Sequence, residues 1–252
     1  MTNLNRRNFL GFTSAFIGSA VAAPAFATPS TTEKWDMTTD IVIVGAGGAG
    51  LAAAAQAGLL GVKCIVLEKE PVVGGSSVIC GGKWAVSGSE LQIKQGVKDS
   101  EELFVKDMMD CGMQKNDLEV VKAYVKENNE TRKWVHTVGK IEPLALNMAG
   151  GQSVPRSLVV KPGQVIEFLR KTATDKGAQI MTRVKAERLL WDNKSNRICG
   201  VKASRRGKTI TIRALKGVVL AAGGFSRNPQ MLKKYAPQLE NAAVIAGLGT
   251  QG

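Results

Sequence analysis

A glycine-rich turn carries the chemistry that is easiest to recognise in this sequence. Gly45, Gly47 and Gly50 form the pattern G-x-G-x-x-G, which follows the β-branched run 41–44 and opens into the alanine-rich segment 51–60. The first glycine permits a tight turn, the second lets a pyrophosphate approach the backbone, and the third lets a helix lie close to a sheet. This order of residue types predicts a site for the phosphates of a dinucleotide.

Two strands and a helix must position that turn. The run 41–44 has the composition of a buried strand, 51–60 that of a helix ended by Gly61, and 63–67 that of a second strand. Glu68 ends the second strand about 20 residues after the last glycine, where a carboxylate accepts hydrogen bonds from ribose hydroxyls. The phosphates would rest on the helix N-terminus, which favours anions. The alternative, a glycine-rich turn in another kind of α/β protein, leaves Glu68 unexplained.

Further glycine-rich stretches are expected to complete the site. The segment 74–77 pairs two glycines with two hydroxyls, and 80–82 adds a second patch of small residues. Glycines let the backbone close on a ligand, and hydroxyls can bond phosphate. The apolar run 217–222 ends in two more glycines and is expected to return to the first site. An ordinary glycine-rich surface loop is the alternative for 74–82.

Composition excludes several other functions. The chain has 252 residues, 44% of them hydrophobic, and a formal net charge of +13. The charges are spread along the chain, aromatic residues are only 5%, and no nucleic-acid motif is present, so we expect no nucleic acid partner. The basic balance would instead attract anionic small molecules or form a solvated surface. Four cysteines without a C-x-x-C pair and a single histidine predict neither a metal site nor covalent haem.

The first 27 residues have the organisation of an export leader. Arg6 and Arg7 precede a mildly apolar run, and 25–27 is an A-x-A cleavage site. The pattern resembles a twin-arginine signal, which exports folded proteins to the periplasm. The run is too short and too interrupted for a stable membrane span. Residues 28–39 are expected to be a linker.

The remaining elements follow from caps and periodicity. Capping patterns predict helices beginning after Asp99 and Asn116, and amphipathic spacing predicts a helix over 163–176. The segments 87–98 and 141–154 are expected to be irregular. Polar turns separate the strands of a predicted antiparallel meander, which are 180–191, 197–204 and 208–213.

Two charged side chains outside the glycine-rich stretches are interpreted as structural. Arg156 is expected to form an ion pair within the fold, although a contact with an anionic ligand is the alternative. His136 lies on a predicted helix, where it is expected to be a surface or packing residue. Cys64 is expected to be buried and Cys80 to be a small packed side chain. No catalytic residue is assigned.

Six segments in order resemble one family of flavoproteins. They read G-A-G-G-A-G, L-E-K-E-P-x-x-G-G-S-S, C-G-G, G-G-Q-S-V-P-R-S, T-R-V and V-V-L-A-A-G-G-F-S-R-N-P. The resemblance is to the flavoprotein subunits of fumarate reductases and succinate dehydrogenases, especially the soluble exported forms, which include urocanate reductase and the flavocytochrome c type. It implies the α/β fold class, with a Rossmann-like FAD-binding domain over 40–252 that combines a parallel sheet with an antiparallel β-meander.

The resemblance also implies non-covalent FAD and a set of residues that bind it. Val184 would touch the adenine through its backbone, and 222–224 would close the site. The residues along the flavin would be Ser76, Ser77, Cys80, Gly81 and Gly82. The complete set is Gly45, Ala46, Gly47, Ala49, Gly50, Glu68, Lys69, Gly74, Gly75, Ser76, Ser77, Cys80, Gly81, Gly82, Val184, Ala222, Gly223 and Gly224. Two departures stand out: Cys80 replaces the usual Ala or Ser, and the family's T-G-D-G near Gly249 is incomplete.

Three functions are consistent with the resemblance. The first is an exported reductase that passes a hydride from FAD to an activated C=C bond of a small unsaturated carboxylic acid, with an unidentified electron donor. The second is a flavin dehydrogenase of the ketosteroid dehydrogenase type. The third is a non-catalytic FAD-binding fragment. In the family, Arg and His residues of a capping domain handle the substrate. We expect that domain after Gly252, and the chain to be truncated.

Overall fold

The computed structural model describes residues 34–239, 241 and 250–252. The predicted leader at 1–27 lies outside these residues. In chain order the strands are β1 (Met37–Val44), β2 (Cys64–Glu68), β3 (Lys83–Ala85), β4 (Ala145–Asn147), β5 (Ser157–Val159), β6 (Gln179–Thr182), β7 (Val184–Asp192), β8 (Arg197–Arg205) and β9 (Lys208–Leu220). The helices are α1 (Gly48–Leu59), α2 (Gly75–Val78), α3 (Glu90–Lys94), α4 (Glu101–Cys111), α5 (Leu118–Thr137), α6 (Pro162–Asp175) and α7 (Pro229–Tyr235), followed by a 3-10 turn over Pro237–Leu239.

A six-stranded sheet in the order β6-β2-β1-β9-β8-β7 forms the centre of the protein. β1 pairs in parallel with both β2 and β9, and β2 pairs in parallel with β6. β7, β8 and β9 are antiparallel neighbours. The predicted α/β class, with a parallel sheet and an antiparallel meander, is therefore confirmed. A second sheet of three short strands, β3-β5-β4, lies between α2 and α6 in the chain.

Apolar side chains cover both faces of the parallel strands. On one face α1 packs against α6, and the small side chains of Ala54 and Ala55 are fully buried there, which lets the two helices approach each other. On the other face the meander contributes Val184, Val201 and Ala203 to a cluster with β1 and β2. Burial on both faces explains the continuous apolar run of β1 and β2.

β1 begins earlier than the sequence predicted. Its first residue is Met37, which lies inside the segment 28–39 that we interpreted as a linker. Thr39 is buried and donates its hydroxyl hydrogen to the carbonyl of Lys63. The polar side chains of this stretch favoured the interpretation as a linker. In the fold they form hydrogen bonds, so the segment can be part of a strand.

β9 corrects the prediction of two separate strands at 208–213 and 217–222. It is one strand of 13 residues. Its first half pairs with β8 in the meander, and the rest of the strand pairs with β1 in the parallel sheet. The predicted strand 180–191, by contrast, is two strands. Arg183 has a φ of +57° and separates β6, which pairs with β2, from β7, which pairs with β8.

Several helix boundaries also differ from the prediction. The segment 87–98 contains α3, which begins with a capping box between Ser89 and Gln92. Ser100 and Asp117, each one residue later than predicted, are the N-caps of α4 and α5. The segment 141–154 contains the short strand β4, and 74–77 overlaps α2 instead of forming a simple loop. Short elements held by tertiary contacts have little periodicity to reveal them.

Arg156 forms the structural ion pair that was predicted for it. Its side chain is fully buried, and Nη2 lies 2.9 Å from Oδ1 of Asp99 and 3.0 Å from Oδ2 of Asp107. The guanidinium also lies over the ring of Phe104, 4.6 Å from its centroid. Gln92 donates to both Asp99 and the carbonyl of Pro155. These contacts join α3 and α4 to the segment that leads into β5.

The predictions for His136, Cys64 and Cys80 were correct for some of these residues and wrong for others. The His136 ring lies 2.9 Å from the carboxylate of Glu142, which is consistent with a surface role. Cys64 is buried as predicted, but Cys80 is exposed and not packed. None of the helices in the described residues has both the length and the hydropathy to cross a membrane.

Candidate functional site

The turn between β1 and α1 lies at the carboxyl end of the central strand. Gly45 has a φ of +99°, and a Cβ there would lie 2.3 Å from the carbonyl oxygen of Ala221. A Cβ on Gly50 would lie 1.9 Å from the carbonyl oxygen of Gly45. Packing of the turn against the end of β9 and against α1 therefore requires both glycines. These are the two roles that the motif predicted for its first and third glycine.

Gly47 has a different environment. A Cβ there would meet only the carbonyl oxygen of Gly74, at 3.9 Å, which is an ordinary contact. Its φ of −77° and ψ of −171° are accessible to other residues. Packing within the protein does not require a glycine at this position. The glycine instead leaves open space in front of the helix, as a site for a closely approaching phosphate needs.

The N-terminus of α1 faces that space. Its N-cap residue, Gly47, has no side chain to cap it, and its first turn contains no acidic residue. Gly48 donates its N–H to Oγ of Ser77 at 3.2 Å. Because a hydroxyl that accepts one hydrogen bond retains its own hydrogen, Ser77 can still donate to a phosphate oxygen. The helix end thus combines backbone donors, a favourable dipole and a hydroxyl.

The glycine-rich segment 74–77 is hydrogen-bonded directly to the turn between β1 and α1. Gly74 donates its N–H to the carbonyl of Ala46 at 2.8 Å. The φ of +113° at Gly74 and the 2.8 Å that would separate its Cβ from Cβ of Val78 both require a glycine there. A Cβ on Gly75 would lie 3.5 Å from Cα of Gly47. Residues 74–77 therefore border the turn between β1 and α1, which is where the sequence predicted that they would lie.

Glu68 is buried at the end of β2 and supports the same turn. Its Oε2 accepts from the N–H of Ala46 at 2.8 Å, and its Oε1 accepts from the N–H of Glu70 at 2.9 Å. An ionised carboxylate has about four acceptor positions, so two remain for the hydroxyls of a ribose. The sequence predicted only the bonds to ribose, and these stay a prediction. The bond to Ala46 has no sequence signal, because it depends on two elements meeting.

The end of β9 also borders the turn between β1 and α1. Ala221 donates its N–H to the carbonyl of Val44, so the two strands end side by side. Gly223 and Gly224 follow, and nothing lies within 4 Å of the position of a Cβ on either residue. Gly252 donates its N–H to the carbonyl of Gly224, which places the end of this sequence against the same segment. The predicted return of this junction to the first site is thus what the structure shows.

The other predicted residues lie around this centre. Lys69 directly follows Glu68, Ala49 is exposed in the first turn of α1, and Ser76 is exposed in α2. Val184 is fully buried in the meander cluster, and the contact of its backbone with adenine stays a prediction.

The patch 80–82 leads away from α2 to the small sheet. Gly82 accepts from the N–H of Val160, and a Cβ there would lie 2.1 Å from the carbonyl oxygen of that residue. Gly81 and Cys80 are exposed, and nothing lies within 4 Å of a Cβ on Gly81. The open glycines 47, 223 and 224 lie at the carboxyl ends of β1 and β9 and form a cradle that a flat, phosphate-bearing ligand fits. Position along a flavin ring remains the interpretation of 80–82.

These features define a dinucleotide-binding α/β domain in which the ligand lies across the carboxyl ends of parallel strands. The chain belongs to the FAD binding domain family, which matches residues 40–252. FAD is therefore the dinucleotide that this domain binds.

Relatives of known activity share this domain. The chain is 32% identical over 250 residues to the acrylate reductase flavoprotein subunit of Shewanella woodyi, covering 94% of this chain and 49% of that protein. Its fold matches a flavocytochrome c3 fumarate reductase with a TM-score of 0.81 and 27% identity, over 86% of this chain and 39% of the other. It also matches a 3-ketosteroid-Δ4-(5α)-dehydrogenase of Rhodococcus jostii RHA1 with a TM-score of 0.79 and 25% identity, over 89% and 54%.

The chain spans less than half of the length of the curated relatives that it matches first, between 23% and 49%. The similarity therefore covers the part that holds the cofactor. What the relatives do as whole proteins extends beyond that part.

Replacement of Glu68 by Gln should weaken FAD binding and also remove one backbone hydrogen bond of the turn. The amide keeps a carbonyl acceptor for one of the two backbone donors but loses the charge that a ribose hydroxyl would bond. Hydrogen bonds to charged groups contribute about 1.5–3 kcal/mol, so the Kd for FAD should rise roughly 10- to 100-fold. Titration of the apoprotein, followed by flavin fluorescence, measures this change.

Glu70→Gln is the matched control for that experiment. Glu70 lies two residues away and contributes only its backbone N–H to the site. Its variant should bind FAD as the unaltered protein does. Retention of full affinity by Glu68→Gln would show that the ribose site has been assigned to the wrong residue.

Proposed function

We propose that this chain is the FAD-holding part of an exported reductase. FAD would supply a hydride from N5 of its flavin to an activated C=C bond in a small unsaturated carboxylic acid. The observation that carries the proposal is the open cradle at the carboxyl ends of β1, β2 and β9, in a chain similar to fumarate and acrylate reductases. The electron donor is not identified.

The residues of this chain would bind and orient the cofactor. The α1 N-terminus and Ser77 would hold the pyrophosphate, and Glu68 would hold the ribose and fix the turn through Ala46. Gly81 and Gly224 would let the backbone approach the flavin. A fixed flavin is the contribution that a cofactor domain makes to hydride transfer, since the distance and angle to the substrate decide its rate.

Reoxidation of the reduced flavin tests the proposed reaction. The full-length native protein is reduced anaerobically with dithionite and mixed with fumarate, acrylate or urocanate, and the return of oxidised-flavin absorbance is followed. We expect one of these acids to reoxidise the flavin and a saturated acid such as succinate to have no effect. Failure of all three acids would contradict the proposal.

A ketosteroid dehydrogenase-type activity is the second candidate, supported by the structural similarity to the Rhodococcus enzyme. The same assay separates the two functions. Reoxidation by a steroid enone, with none by the acids, would favour the second candidate. A protein that binds FAD and is reoxidised by neither class of compound would correspond to a non-catalytic flavin-binding protein.

We also propose export to the periplasm by the twin-arginine route, which rests on Arg6, Arg7 and the cleavage pattern at 25–27. Conservative replacement of both arginines by lysine should leave the precursor in the cytoplasm, because the route depends on the paired arginines and not on charge alone. Immunoblots of periplasmic and cytoplasmic fractions measure the distribution.

The control for export is Arg205→Lys with Arg206→Lys, which makes the same chemical change in the hairpin between β8 and β9. This variant should be exported normally. Normal export of the Arg6→Lys, Arg7→Lys variant would exclude the twin-arginine route.

A further inference from the structure

Helix α5 buries polar side chains on the face that packs against the rest of the protein. Asn128, Asn129 and Arg132 are at most 8% exposed, while the other buried residues of the helix are valines. Burying an amide or a cation costs free energy unless its polar atoms form hydrogen bonds. The partners of these three side chains therefore show which contacts this face provides.

Asn128 holds β3 by two hydrogen bonds of opposite polarity. Its Oδ1 accepts from the indole N–H of Trp84 at 2.6 Å, and its Nδ2 donates to the carbonyl of Ala85 at 2.7 Å. An indole nitrogen only donates and a carbonyl only accepts, so both bonds require one orientation of the amide. A carboxylate at this position could make the first bond but not the second.

The bond to Ala85 completes the hydrogen bonding of an edge strand. β3 is at the edge of the three-stranded sheet, with β5 as its neighbour. Gly82 and Val86 form backbone hydrogen bonds with residues at the two ends of β5. Because the backbone groups of successive residues in a strand point to opposite edges, the carbonyl of Ala85 points away from β5. Asn128 provides the donor that this edge carbonyl needs.

Two further side chains of α5 hold the residues that follow β3. Asn129 accepts from the N–H of Ser87 at 3.2 Å and donates to its hydroxyl at 2.9 Å. Arg132, one turn further along the helix, pairs with Glu90. The segment 84–90 therefore runs along α5 and is fixed to it at three places.

The segment held by α5 follows directly after the glycine patch 80–82. Residues 78–81 are exposed, and nothing lies within 4 Å of a Cβ on Gly81. Gly82 is buried and has a φ of +68°, so the chain turns there from the exposed patch into β3. The patch lies between α2 and β3 in the chain, and a displacement of β3 would move it.

We propose that Asn128 is a positioning residue for the flavin. By holding β3 it fixes the patch 80–82 against the ring of bound FAD, and the inference rests on the proposed placement of that patch along the flavin. The phosphates and the ribose would be held by other elements, so Asn128 would act on the surroundings of the ring. The rate of hydride transfer depends on the orientation of that ring.

The reactivity of Cys80 reports the position of the patch. Cys80 is exposed, so a maleimide should modify it in the apoprotein, and a flavin bound along the patch should shield it. Mass spectrometry of tryptic peptides separates its modification from that of Cys111, which is also exposed. In the full-length native protein at saturating FAD, we expect Cys80 to react at least about tenfold more slowly than in the apoprotein.

Asn128→Asp is the test variant. Its carboxylate can accept from Trp84 but cannot donate to Ala85, whose carbonyl it repels. Loss of such a bond shifts a local equilibrium about tenfold, so Cys80 at saturating FAD should react within about threefold of its rate in the apoprotein. The visible circular dichroism of the bound flavin should change as well. Trp84→Phe removes the other bond of Asn128, should act in the same direction, and decides the question if Asn128→Asp does not fold.

Asn116→Asp is the matched control. Asn116 is half-buried between α4 and α5, and its Nδ2 donates to the carbonyl of Met108 at 3.0 Å. The variant therefore makes the same chemical change at another backbone carbonyl. It should lower the melting temperature, as Asn128→Asp does, but leave both the shielding of Cys80 and the flavin circular dichroism unchanged.

Full shielding of Cys80 in the folded test variants would overturn the proposal. An equal loss of shielding in Asn116→Asp would also overturn it, because general destabilisation would then explain the effect. Absence of shielding in the unaltered protein would show that the patch does not lie along the flavin, and the proposal would fall with that placement. None of these results depends on reoxidation by unsaturated acids, so failure of the proposed reaction is a separate outcome.

Discussion

Gly50→Ala should unfold or strongly destabilise the FAD domain even without cofactor. The added Cβ would lie 1.9 Å from a backbone carbonyl oxygen, so α1 must move away from the turn. Forcing extra atoms into a packed core typically costs 1–3 kcal/mol, and a backbone contact is at the upper end because it cannot rotate away. A loss of about 3 kcal/mol corresponds to a melting temperature lower by roughly 6–12 °C in a domain of this size.

Gly47→Ala is the matched variant in the same motif. Its Cβ would meet only one atom, at 3.9 Å, so the melting temperature of the apoprotein should stay within about 2 °C of the unaltered protein. FAD affinity should nevertheless fall more than about tenfold, because the methyl group occupies the space that the pyrophosphate approaches.

The comparison separates the two functions of the motif. Melting of both apoproteins reports the requirement of the fold, and FAD titration of the Gly47→Ala variant reports the requirement of the ligand. A large fall in apoprotein stability for Gly47→Ala, or normal FAD affinity in that variant, would contradict the assignment of this glycine to the phosphates.

Arg156→Met should lower the free energy of unfolding by about 3–5 kcal/mol at pH 7. The methionine keeps the apolar stem over Phe104, but it leaves the carboxylates of Asp99 and Asp107 buried without their cation. Removing one partner of a buried ion pair is costly for that reason. Urea unfolding followed by tryptophan fluorescence measures the change.

The effect of Arg156→Met should depend on pH. Burial opposes ionisation of Asp107, but two hydrogen bonds from Ser153 and the charge of Arg156 together hold its pKa below the usual value. A carboxyl with a depressed pKa stabilises the fold above its unfolded pKa, and this contribution disappears as the pH falls through the folded pKa. Without Arg156 the carboxyl protonates more readily, so the difference between the two proteins should shrink below about pH 5.

Arg132→Met is the control for the buried cation. Arg132 is also buried, but its partner Glu90 has a side chain that is 63% exposed and would be hydrated when the cation is removed. The loss should be about 1 kcal/mol, because the carboxylate left behind is hydrated. Similar losses in the two variants would show that removal of the arginine side chain, and not the stranded carboxylates, explains the effect.

The sequence predicted the parts of the site that depend on local backbone requirements. The glycines at 45 and 50, the strand before them and the acid at the end of β2 each have a fixed spacing, because one βαβ unit imposes it. The structure confirms those packing roles for Gly45 and Gly50. It also agrees with the motif that Gly47 has no such packing role.

The errors have a common physical cause. α3 was missed although Ser89 and Gln92 form a capping box, because the helix has only five residues and little periodicity. Asp99 was assigned as a helix cap, since Asp is common there, but its side chain is committed to the buried Arg156. The sequence divided β9 at 214–216, because the two halves of the strand have different partners and therefore different patterns. In all three cases contacts with residues distant in the sequence determine the structure.

The long strand β9 has a consequence for the order in which this chain can fold during synthesis. β1, at the start of the domain, needs β9 as a neighbour, and contacts between the two regions join residues 175 positions apart. At about 5–20 residues per second, a ribosome needs roughly 10–35 s to make the intervening chain. Until then β1 and β2 present an apolar strand edge that can pair with other chains. The domain therefore completes its sheet only after β9 has been synthesised, and until then its first βαβ unit is exposed to pairing with other chains.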